Sequence, residues 1–291
     1  MGAKYKTIIV SDLHLGVKSS KAKEVVKFLK HNTCDKLILN GDIIDGWELM
    51  RSGKWKKKHT RFFKLVMKYV SKRKTEVVYL RGNHDDFLKE LIPFRFGRLS
   101  LAEQHIHESC GKRYLVIHGD IFDSISTNLK WLAKLGSIGY TFILWLNRHY
   151  NTYRAKRGLP YYSLSQAIKH KVKSAVSFMD DFENQLAEVA RIQKCDGIIC
   201  GHIHKASDKM IKNIHYLNSG DWVESLTALT EDYEGNWQII RYEDWLREFN
   251  SEKANTNLES NVSRESTAAR ESKADLGRED LGDFTDLQKA S

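Results

Sequence analysis

Short apolar runs alternate with helical periodicities along much of the chain. Two segments, Ser20–His31 and Lys57–Lys72, place apolar side chains at intervals of three and four residues, which predicts helices with one buried face. The apolar runs are rich in β-branched residues and end abruptly in polar ones, a pattern typical of buried strands that open into loops. These runs are Thr7–Val10, Leu37–Leu39, Val77–Leu80, Tyr114–Ile117 and Gly197–Cys200.

Most of five short polar motifs directly follow one of these predicted strands. They are Asp12-Leu13-His14, Gly41-Asp42, Gly82-Asn83-His84-Asp85, His118-Gly119-Asp120 and Gly201-His202-Ile203-His204. In open α/β sheets, ligands bind beyond the carboxyl ends of the strands. We therefore expect the five motifs to converge on one site.

The side chains of these motifs indicate metal chemistry. They offer carboxylate, imidazole and amide oxygen without a thiolate, a donor set that suits Mn²⁺, Fe or Zn²⁺. The candidate ligands are Asp12, His14, Asp42, Asn83, His118, His202 and His204. They are too many for one tetrahedral ion, but they fit two ions if one carboxylate bridges. Two ions about 3.5–4 Å apart stabilise the attacking and leaving oxygens of a displacement at phosphorus.

The order of the motifs resembles the calcineurin-like metallophosphoesterase superfamily, whose pattern is D-x-H, G-D, G-N-H-[DE], H and G-H-x-H. The resemblance runs from about Tyr5 to Tyr242. It implies an α/β fold, a four-layer αββα sandwich of two mixed β-sheets flanked by helices. It also implies that His84 binds no metal, but protonates the leaving group or stabilises charge on the phosphate, with Asp42 orienting it.

The same resemblance implies how the two ions are held. One ion would be bound by Asp12, His14, Asp42 and His204. The other would be bound by Asp42, Asn83, His118 and His202, so that the Asp42 carboxylate bridges. Among the possible metals, Mn²⁺ is our first expectation, with Fe or Zn²⁺ as alternatives.

A helical insertion is predicted at 124–194, inside a metallophosphoesterase domain that spans 1–250. From Ser124 to Met179 there are nine cations and no Asp or Glu, and aromatic residues are interleaved with them. This combination favours an interface with anionic lipid or with an apolar ligand that carries phosphate, although a solvated helix face and aromatics buried in the domain remain alternatives. Arg154, Lys156 and Arg157 are the candidate substrate-binding residues.

The segments after the last motif complete the predicted architecture. Met210–Ile214, His215–Asn218, Glu224–Thr230 and Trp237–Tyr242 are predicted antiparallel strands that complete the second sheet. Residues 251–291 are rich in Ser, Asn, Glu and Lys, and they lack the apolar content needed to offset the entropy of ordering. We expect this tail to be disordered.

Net charge, cysteine spacing and apolar stretches indicate where in the cell the protein is located. The formal net charge is +10. The four cysteines form no C-x-x-C pair, the amino terminus has no apolar signal core, and Tyr140–Leu146, the longest apolar stretch, is too short to span a bilayer. We therefore expect a cytoplasmic protein that binds peripherally to the inner face of the cytoplasmic membrane.

Within the superfamily, the chain is most similar to the UDP-2,3-diacylglucosamine hydrolases of lipid A biosynthesis. The resemblance rests on Ser11–Leu15, Gly41–Trp47, Asn218–Ser225 and the helical insertion. It implies cleavage of the pyrophosphate in a nucleotide-linked glycolipid, giving UMP and a lipid monophosphate. Members of that family usually have Arg where this chain has His84.

Two other functions remain open. One is a phosphodiesterase or phosphatase that acts on soluble nucleotides or nucleic acid, since a basic surface also attracts polynucleotides. The other is a non-catalytic scaffold on the same fold, which is disfavoured because none of the seven ligands is missing. No protein partner is inferred.

Overall fold

The computed structural model describes residues 3–120, 150, 152–154, 156–158 and 181–255. The chain divides into two compact units, one formed by Lys4–Tyr242 and the other by Met1–Ala3 with Glu243–Ser291. In the second unit, residues 243–255 are helical. Residues 251–255, the start of the segment expected to be disordered, are thus helical because Glu252, Lys253 and Ala254 are strong helix formers. The rest of the tail, and most of the predicted insertion, lie outside the described residues.

The strands follow one another along the chain with helices between several of them. In chain order they are β1 Lys4–Val10, β2 Thr33–Asn40, β3 Glu76–Leu80, β4 Phe94–Phe96, β5 Leu99–Ala102, β6 Gln104–Ser109, β7 Lys112–Ile117, β8 Gly197–Cys200, β9 Ser207–Ile211, β10 Ile214–Asn218, β11 Thr227–Glu231 and β12 Trp237–Arg241. Within residues 3–120 and 181–241, the helices are α1 Ala22–His31, α2 Gly46–Ser52, α3 Lys57–Ser71 and α4 181–192, and a 3₁₀ helix spans Asp86–Leu91.

Within the described residues, the strands form two mixed sheets. The seven-stranded sheet has the order β12-β11-β1-β2-β3-β5-β4, and the five-stranded sheet has the order β6-β7-β8-β10-β9. Strands β1, β2, β3 and β5 are parallel in the first sheet, and β7, β8 and β10 are parallel in the second. The central strands are buried on both faces, which explains why they are continuous apolar runs in the sequence.

One apolar core joins the two sheets. Ile38 and Val78 of the first sheet pack in the same cluster as Val116, Ile199 and Leu217 of the second. A second cluster lies on the other face of the five-stranded sheet, where α4 contributes its buried side chains. On the seven-stranded sheet, α3 contacts β3 and packs beside α1. The predicted α/β fold of two mixed sheets flanked by helices is confirmed.

Two details of the predicted strands were wrong. Strands β11 and β12 belong to the seven-stranded sheet, because β11 pairs antiparallel with β1 and β12 pairs with β11. Strand β10 pairs parallel with β8, and only its other neighbour, β9, is antiparallel. The loop after β10 therefore carries the chain from one sheet to the other. No helix in the described residues is both long and apolar enough to cross a membrane.

Candidate metal centre

The five motifs meet because they follow neighbouring strands of two facing sheets. Asp12, Asp42 and Asn83 follow β1, β2 and β3, which are adjacent and parallel. His118 and His202 follow β7 and β8, which are adjacent and parallel in the other sheet. Backbone hydrogen bonds fasten these loops pairwise: Asp12 N–H donates to Gly41 O at 3.1 Å, and Gly201 N–H donates to His118 O at 3.1 Å.

The candidate ligands sit in an unusual backbone conformation. Asp12, His14, Asp42, His202 and His204 all have positive φ, between 45° and 66°. Residues other than glycine rarely adopt this left-handed conformation, which costs about 1–3 kcal/mol per residue and is concentrated at functional sites. Backbone bonds within the loops offset part of this cost, as where His14 N–H donates to Asp42 O at 2.9 Å.

Six of the seven predicted ligands fall into two clusters in which the potential ligand atoms lie within 4.8 Å of one another. The first cluster is Asp12, His14 and His204, and the second is Asp42, His118 and His202. The Asp42 carboxylate lies near both clusters. Its Oδ2 is 3.7 Å from Nε2 of His14 in the first cluster and 3.4 Å from Nε2 of His118 in its own. This is the position that a bridging carboxylate requires. That Asp42 bridges two ions stays a prediction.

The hydrogen-bond partners of two histidines assign tautomers that are compatible with a cation in the clusters. His118 Nδ1 lies 2.9 Å from the carbonyl oxygen of Asn40, and His14 Nδ1 lies 3.2 Å from Asp45 Oδ2. Because both of these oxygens only accept, Nδ1 carries the proton in each ring. In the neutral imidazole, Nε2 then presents a lone pair towards the Asp42 carboxylate. A cation between these groups would be coordinated by the Nε2 lone pairs and by the carboxylate.

Asn83, the seventh predicted ligand, supports the same interpretation. Its side-chain oxygen is buried and makes no hydrogen bond with the described residues. The Nε2 atoms of His14 and His118 are likewise buried and make no hydrogen bond with the described residues. Buried polar atoms without partners are rare in folded proteins and indicate an ion, a water or a function.

The electrostatics of the centre favour ionised aspartates. Burial by itself would raise the pKa of Asp12, but the neighbouring His204 and His118 outweigh it and lower the pKa to about 2. Burial would also raise the pKa of Asp42. The neighbouring imidazoles of His118, His14 and His84 outweigh it and hold that pKa below the ordinary value. Burial would lower the pKa of His118, yet Asp42 and Asp12 raise it to about 10. The acids are thus ready to bind a cation, which would compete with the proton on His118.

The Asp45 carboxylate lies closer to the imidazole of His84 than the Asp42 carboxylate does. Asp45 Oδ2 lies 3.0 Å from His84 Nδ1, whereas Asp42 Oδ2 lies 3.9 Å from His84 Nε2. Asp42 instead accepts the backbone N–H of His84 at 2.8 Å through Oδ1. On the other side, the ring of Trp47 lies 4.2 Å from that of His84. Reasoning from the sequence missed this contact of Asp45, and no sequence signal separates Asp45 from Asp42, which lies in the same loop.

A second residue that sequence reasoning missed is Asp85, which ties two of the loops together. Its carboxylate accepts the backbone N–H groups of Ile43 and Ile44, at 3.0 and 2.8 Å, and the hydroxyl of Tyr79 at 3.1 Å. Burial and the nearby Asp42 carboxylate raise the pKa of Asp85 to about 7, despite these donors. Asp85 therefore fixes the loop that carries Asp42 against the loop that carries His84.

Two glycines make room for the ligands. A Cβ on Gly82 would lie 2.3 Å from Asp42 Oδ1, and a Cβ on Gly41 would lie 2.3 Å from His118 Nδ1. Any side chain at these positions would displace a ligand. This explains why a glycine stands beside a candidate ligand in both motifs.

The predicted substrate-binding cations lie in the short described part of the insertion. Lys156 and Arg157 are exposed, and Arg154 is half-buried. The guanidinium of Arg154 lies 5.6 Å from the ring centre of Tyr150, and that of Arg157 lies 4.8 Å from the ring centre of Tyr153. Cations and aromatics are thus paired on this segment. A role in substrate binding stays a prediction.

The chain belongs to the calcineurin-like phosphoesterase family, whose model matches residues 5–206. The protein is therefore a metallophosphoesterase, an enzyme that hydrolyses phosphoesters. Members of this family bind dinuclear metals, in keeping with the two clusters. A curated relative is the UDP-2,3-diacylglucosamine hydrolase of Photorhabdus laumondii, which is 23% identical over 206 residues, covering 68% of this chain and 82% of the relative.

Solved structures of low sequence identity are similar over most of the chain. A conserved uncharacterized protein from Streptococcus pneumoniae TIGR4 has 16% identity and a TM-score of 0.37, covering 82% of this chain and 90% of its own. Yfce, a phosphoesterase from E. coli, has 13% identity and a TM-score of 0.36, with coverages of 81% and 98%. A hypothetical protein from Pyrococcus horikoshii OT3 has 9% identity and a TM-score of 0.44, with coverages of 84% and 92%.

Proposed function

We propose that this enzyme hydrolyses the pyrophosphate of UDP-2,3-diacylglucosamine, or of a closely similar nucleotide-linked glycolipid, to UMP and a lipid monophosphate. This reaction would place it in lipid A biosynthesis. The observation that carries the hydrolytic part is the Asp42 carboxylate between the two clusters, with His84 beside them. The relative from Photorhabdus laumondii and the shared motifs support the choice of substrate.

In this proposal, the two clusters hold two divalent ions. Asp12, His14, Asp42 and His204 would hold the first ion, and Asp42, Asn83, His118 and His202 would hold the second. Mn²⁺ suits these oxygen and imidazole donors, as do Fe and Zn²⁺. When bound, the ions supply positive charge to the phosphate oxygens and lower the pKa of a water nucleophile.

His84 completes the site as an acid or a charge stabiliser. The Asp45 carboxylate orients its Nδ1, and the adjacent Trp47 ring restricts its rotation. Its Nε2 faces the centre, 3.9 Å from Asp42 Oδ2. From there it can donate a proton to the leaving oxygen or a hydrogen bond to the phosphate, as positioned acids do.

The lipid part of the substrate needs a surface outside the metal centre. We assign this role to the insertion, with Arg154, Lys156 and Arg157 binding phosphate and with aromatics such as Tyr150 and Tyr153 beside them. An acylated substrate resides in a membrane, so the enzyme would work peripherally at the inner face of the cytoplasmic membrane.

A second candidate function is hydrolysis of soluble nucleotides or nucleic acid. The observation that favours it is His84, which stands where the glycolipid hydrolases usually have Arg. A histidine there matches the broader superfamily pattern, and it leaves the hydrolytic chemistry unchanged.

The two functions are separated by a substrate comparison with purified enzyme and Mn²⁺. UDP-2,3-diacylglucosamine, UDP-glucose, a simple nitrophenyl phosphodiester and an oligonucleotide would be assayed side by side. We expect the acylated substrate to be turned over fastest, with UMP as a product. Faster turnover of UDP-glucose or the oligonucleotide would favour the second candidate, and no turnover of any substrate would contradict both.

The insertion is tested with a triple substitution of Arg154, Lys156 and Arg157 to Ala. Turnover of the acylated substrate should fall, while turnover of the nitrophenyl phosphodiester, which needs only the metal centre, should stay close to that of the wild type. Equal loss of both activities would show that these cations support the structure or clamp phosphate directly.

A further inference from the structure

The strongest charge asymmetry in the described residues lies on the first sheet's helical side. From Leu49 to Thr75 there are eleven Lys and Arg residues and no Asp or Glu. Of these cations, Arg51 pairs with Glu48. For the other ten, the structure shows no ion pair with a carboxylate of the described residues. Within the described part of the chain, carboxylates thus pair with only one of the eleven cations, and the stretch keeps a positive potential.

Helix α3 arranges part of this charge as a stripe. Its buried residues, which include Phe62, Val66 and Tyr69, face the protein. Five cations at intervals of three and four residues lie together on the opposite side, and all are exposed: Lys57, Arg61, Lys64, Lys68 and Lys72. At 1.5 Å per residue, the helix carries this stripe over about 22 Å. Helix α3 therefore has two faces: the apolar face that predicted the helix, and a basic face on the opposite side.

Exposed apolar side chains lie beside the metal centre and in the segment of the chain that leads from it to α3. Trp47 and Met50 of α2 are 50% and 80% exposed, and Phe87 is 52% exposed. Trp47 packs on His84, and the Phe87 ring lies 2.8 Å from where a Cβ would stand on Gly46. Trp55, which joins α2 to α3, is also exposed. Apolar groups therefore flank the centre, and Met50 and Trp55 precede the cations of α3 along the chain.

We propose that this aromatic–basic surface, formed by residues 47–72 and Phe87, docks on an anionic phospholipid bilayer. Cations would contact the lipid headgroups, and the apolar side chains would enter the interfacial region. Unneutralised cations beside exposed apolar side chains, among them the aliphatic Met50 at 80% exposure, suit the headgroup and interfacial layers of an anionic bilayer. Docking this way would bring the metal centre to the bilayer.

This inference deepens the proposed function, since it names the surface that would bring the enzyme to an acylated substrate. It does not depend on the insertion, because the surface is formed by other residues. It also does not depend on catalysis. Binding to vesicles and hydrolysis can therefore be measured separately.

The test uses the full chain with Mn²⁺ and a charge-matched pair of variants. One variant is Lys57→Gln with Arg61→Gln and Lys64→Gln, which removes three cations from the stripe. The control is Lys112→Gln with Lys212→Gln and Arg241→Gln, which removes three exposed cations from strands and a turn elsewhere. Sedimentation with vesicles of phosphatidylcholine, with and without phosphatidylglycerol, measures binding, and thermal unfolding verifies that each variant is folded.

We expect the wild type to bind vesicles that contain phosphatidylglycerol, and to bind less as salt rises. The stripe variant should bind about a hundredfold more weakly, the loss that three cations near an anionic membrane predict. The control should bind like the wild type. Met50→Ser should reduce the binding that persists at high salt, because salt does not screen the apolar contact.

Three results would overturn the inference: no vesicle binding at low salt, equal loss in both triple variants, or binding to an oligonucleotide without binding to vesicles. Hydrolysis of the nitrophenyl phosphodiester, measured in parallel, keeps the proposals apart. Vesicle binding by a protein inactive on every phosphoester would leave the surface standing and reject the proposed function. Hydrolysis without vesicle binding would reject the docking surface and leave the proposed hydrolytic function standing.

Discussion

Asp45 contacts His84 and His14 through the same carboxylate oxygen, at 3.0 Å from His84 Nδ1 and 3.2 Å from His14 Nδ1. Burial would raise the pKa of Asp45, but the two imidazoles and the backbone N–H of Glu48 keep it well below the ordinary value. One carboxylate thus positions both a predicted metal ligand and the predicted acid. Asp45 is also the residue before α2, and its side chain caps that helix by accepting the backbone N–H of Glu48.

His84→Ala should separate catalysis from metal binding. The side chain is not needed to complete either cluster, so the variant should keep its metal content, measured by mass spectrometry. Turnover should fall by about 10²–10⁴-fold, the usual contribution of a positioned acid or base. A variant that had lost metal would show that His84 is itself a ligand.

Asp45→Asn should slow turnover because it weakens the orientation of His84. The same substitution in a His84→Ala background should cost less, since the ring that Asp45 orients is then absent. Any effect that remains in that background measures the contact with His14. Fully additive losses in kcat would contradict the coupling between Asp45 and His84.

Asp42→Ala should abolish both metal binding and turnover, because its carboxylate faces both clusters. Asp86→Ala is a suitable control, since Asp86 lies near the same loops but pairs with Arg81 at the surface. Chelation of the wild type should likewise abolish activity, and Mn²⁺ should restore it. Full activity in excess chelator would refute the metal-dependent mechanism.

Gly82→Ala should damage the centre through steric contact alone. The added Cβ would lie 2.3 Å from Asp42 Oδ1, so the carboxylate or the loop must move. We expect weaker metal binding by calorimetry and lower turnover. Gly97→Ala controls for backbone effects, because Gly97 has positive φ and open space around it, and should cost only about 1 kcal/mol of stability.

Acid stability should depend on Glu231, which is buried and lies 2.8 Å from both His107 Nε2 and Lys6 Nζ. Burial would raise its pKa, but His107 and Lys6 lower it to about 2 from an ordinary 4.5. The carboxylate therefore stabilises the fold fully above pH 4.5, and this contribution is lost as the pH falls from there through about 2.

Glu231→Gln should accordingly lower the free energy of unfolding at pH 7 by about 1–3 kcal/mol. It should also flatten the pH dependence of stability between pH 4.5 and 2, as measured by urea unfolding. Glu234→Gln, at an exposed position nearby, should change neither. Unchanged acid sensitivity in Glu231→Gln would assign the acid transition to other carboxylates.

How much of the metal centre could be predicted depends on whether each feature is local in sequence or depends on side-chain packing. Strand ends are local features, so the convergence of motifs such as Asp12 and Asn83 could be predicted from short apolar runs. The partner of His84 could not, because Asp42 and Asp45 are both aspartates of one loop and only side-chain packing distinguishes them.

Long-range pairing limited the prediction of the fold. The sequence of β11 does not reveal that it pairs with β1, more than 200 residues earlier. The hairpin of β4 and β5 was missed for a different reason, because these strands are short and half-exposed or fully exposed. The charged stripe of α3, by contrast, follows from sequence periodicity, because its cations recur at intervals of three and four on the side opposite the apolar residues.

Each cluster of candidate ligands draws on both sheets. His14 follows a strand of the first sheet and His204 one of the second, and the same division separates Asp42 from His118. An ion in either cluster would therefore act as a cross-link between the two halves of the sandwich. Because such an ion binds only the assembled fold, metal should raise the unfolding temperature, and its removal should let the sheets separate first at the catalytic end.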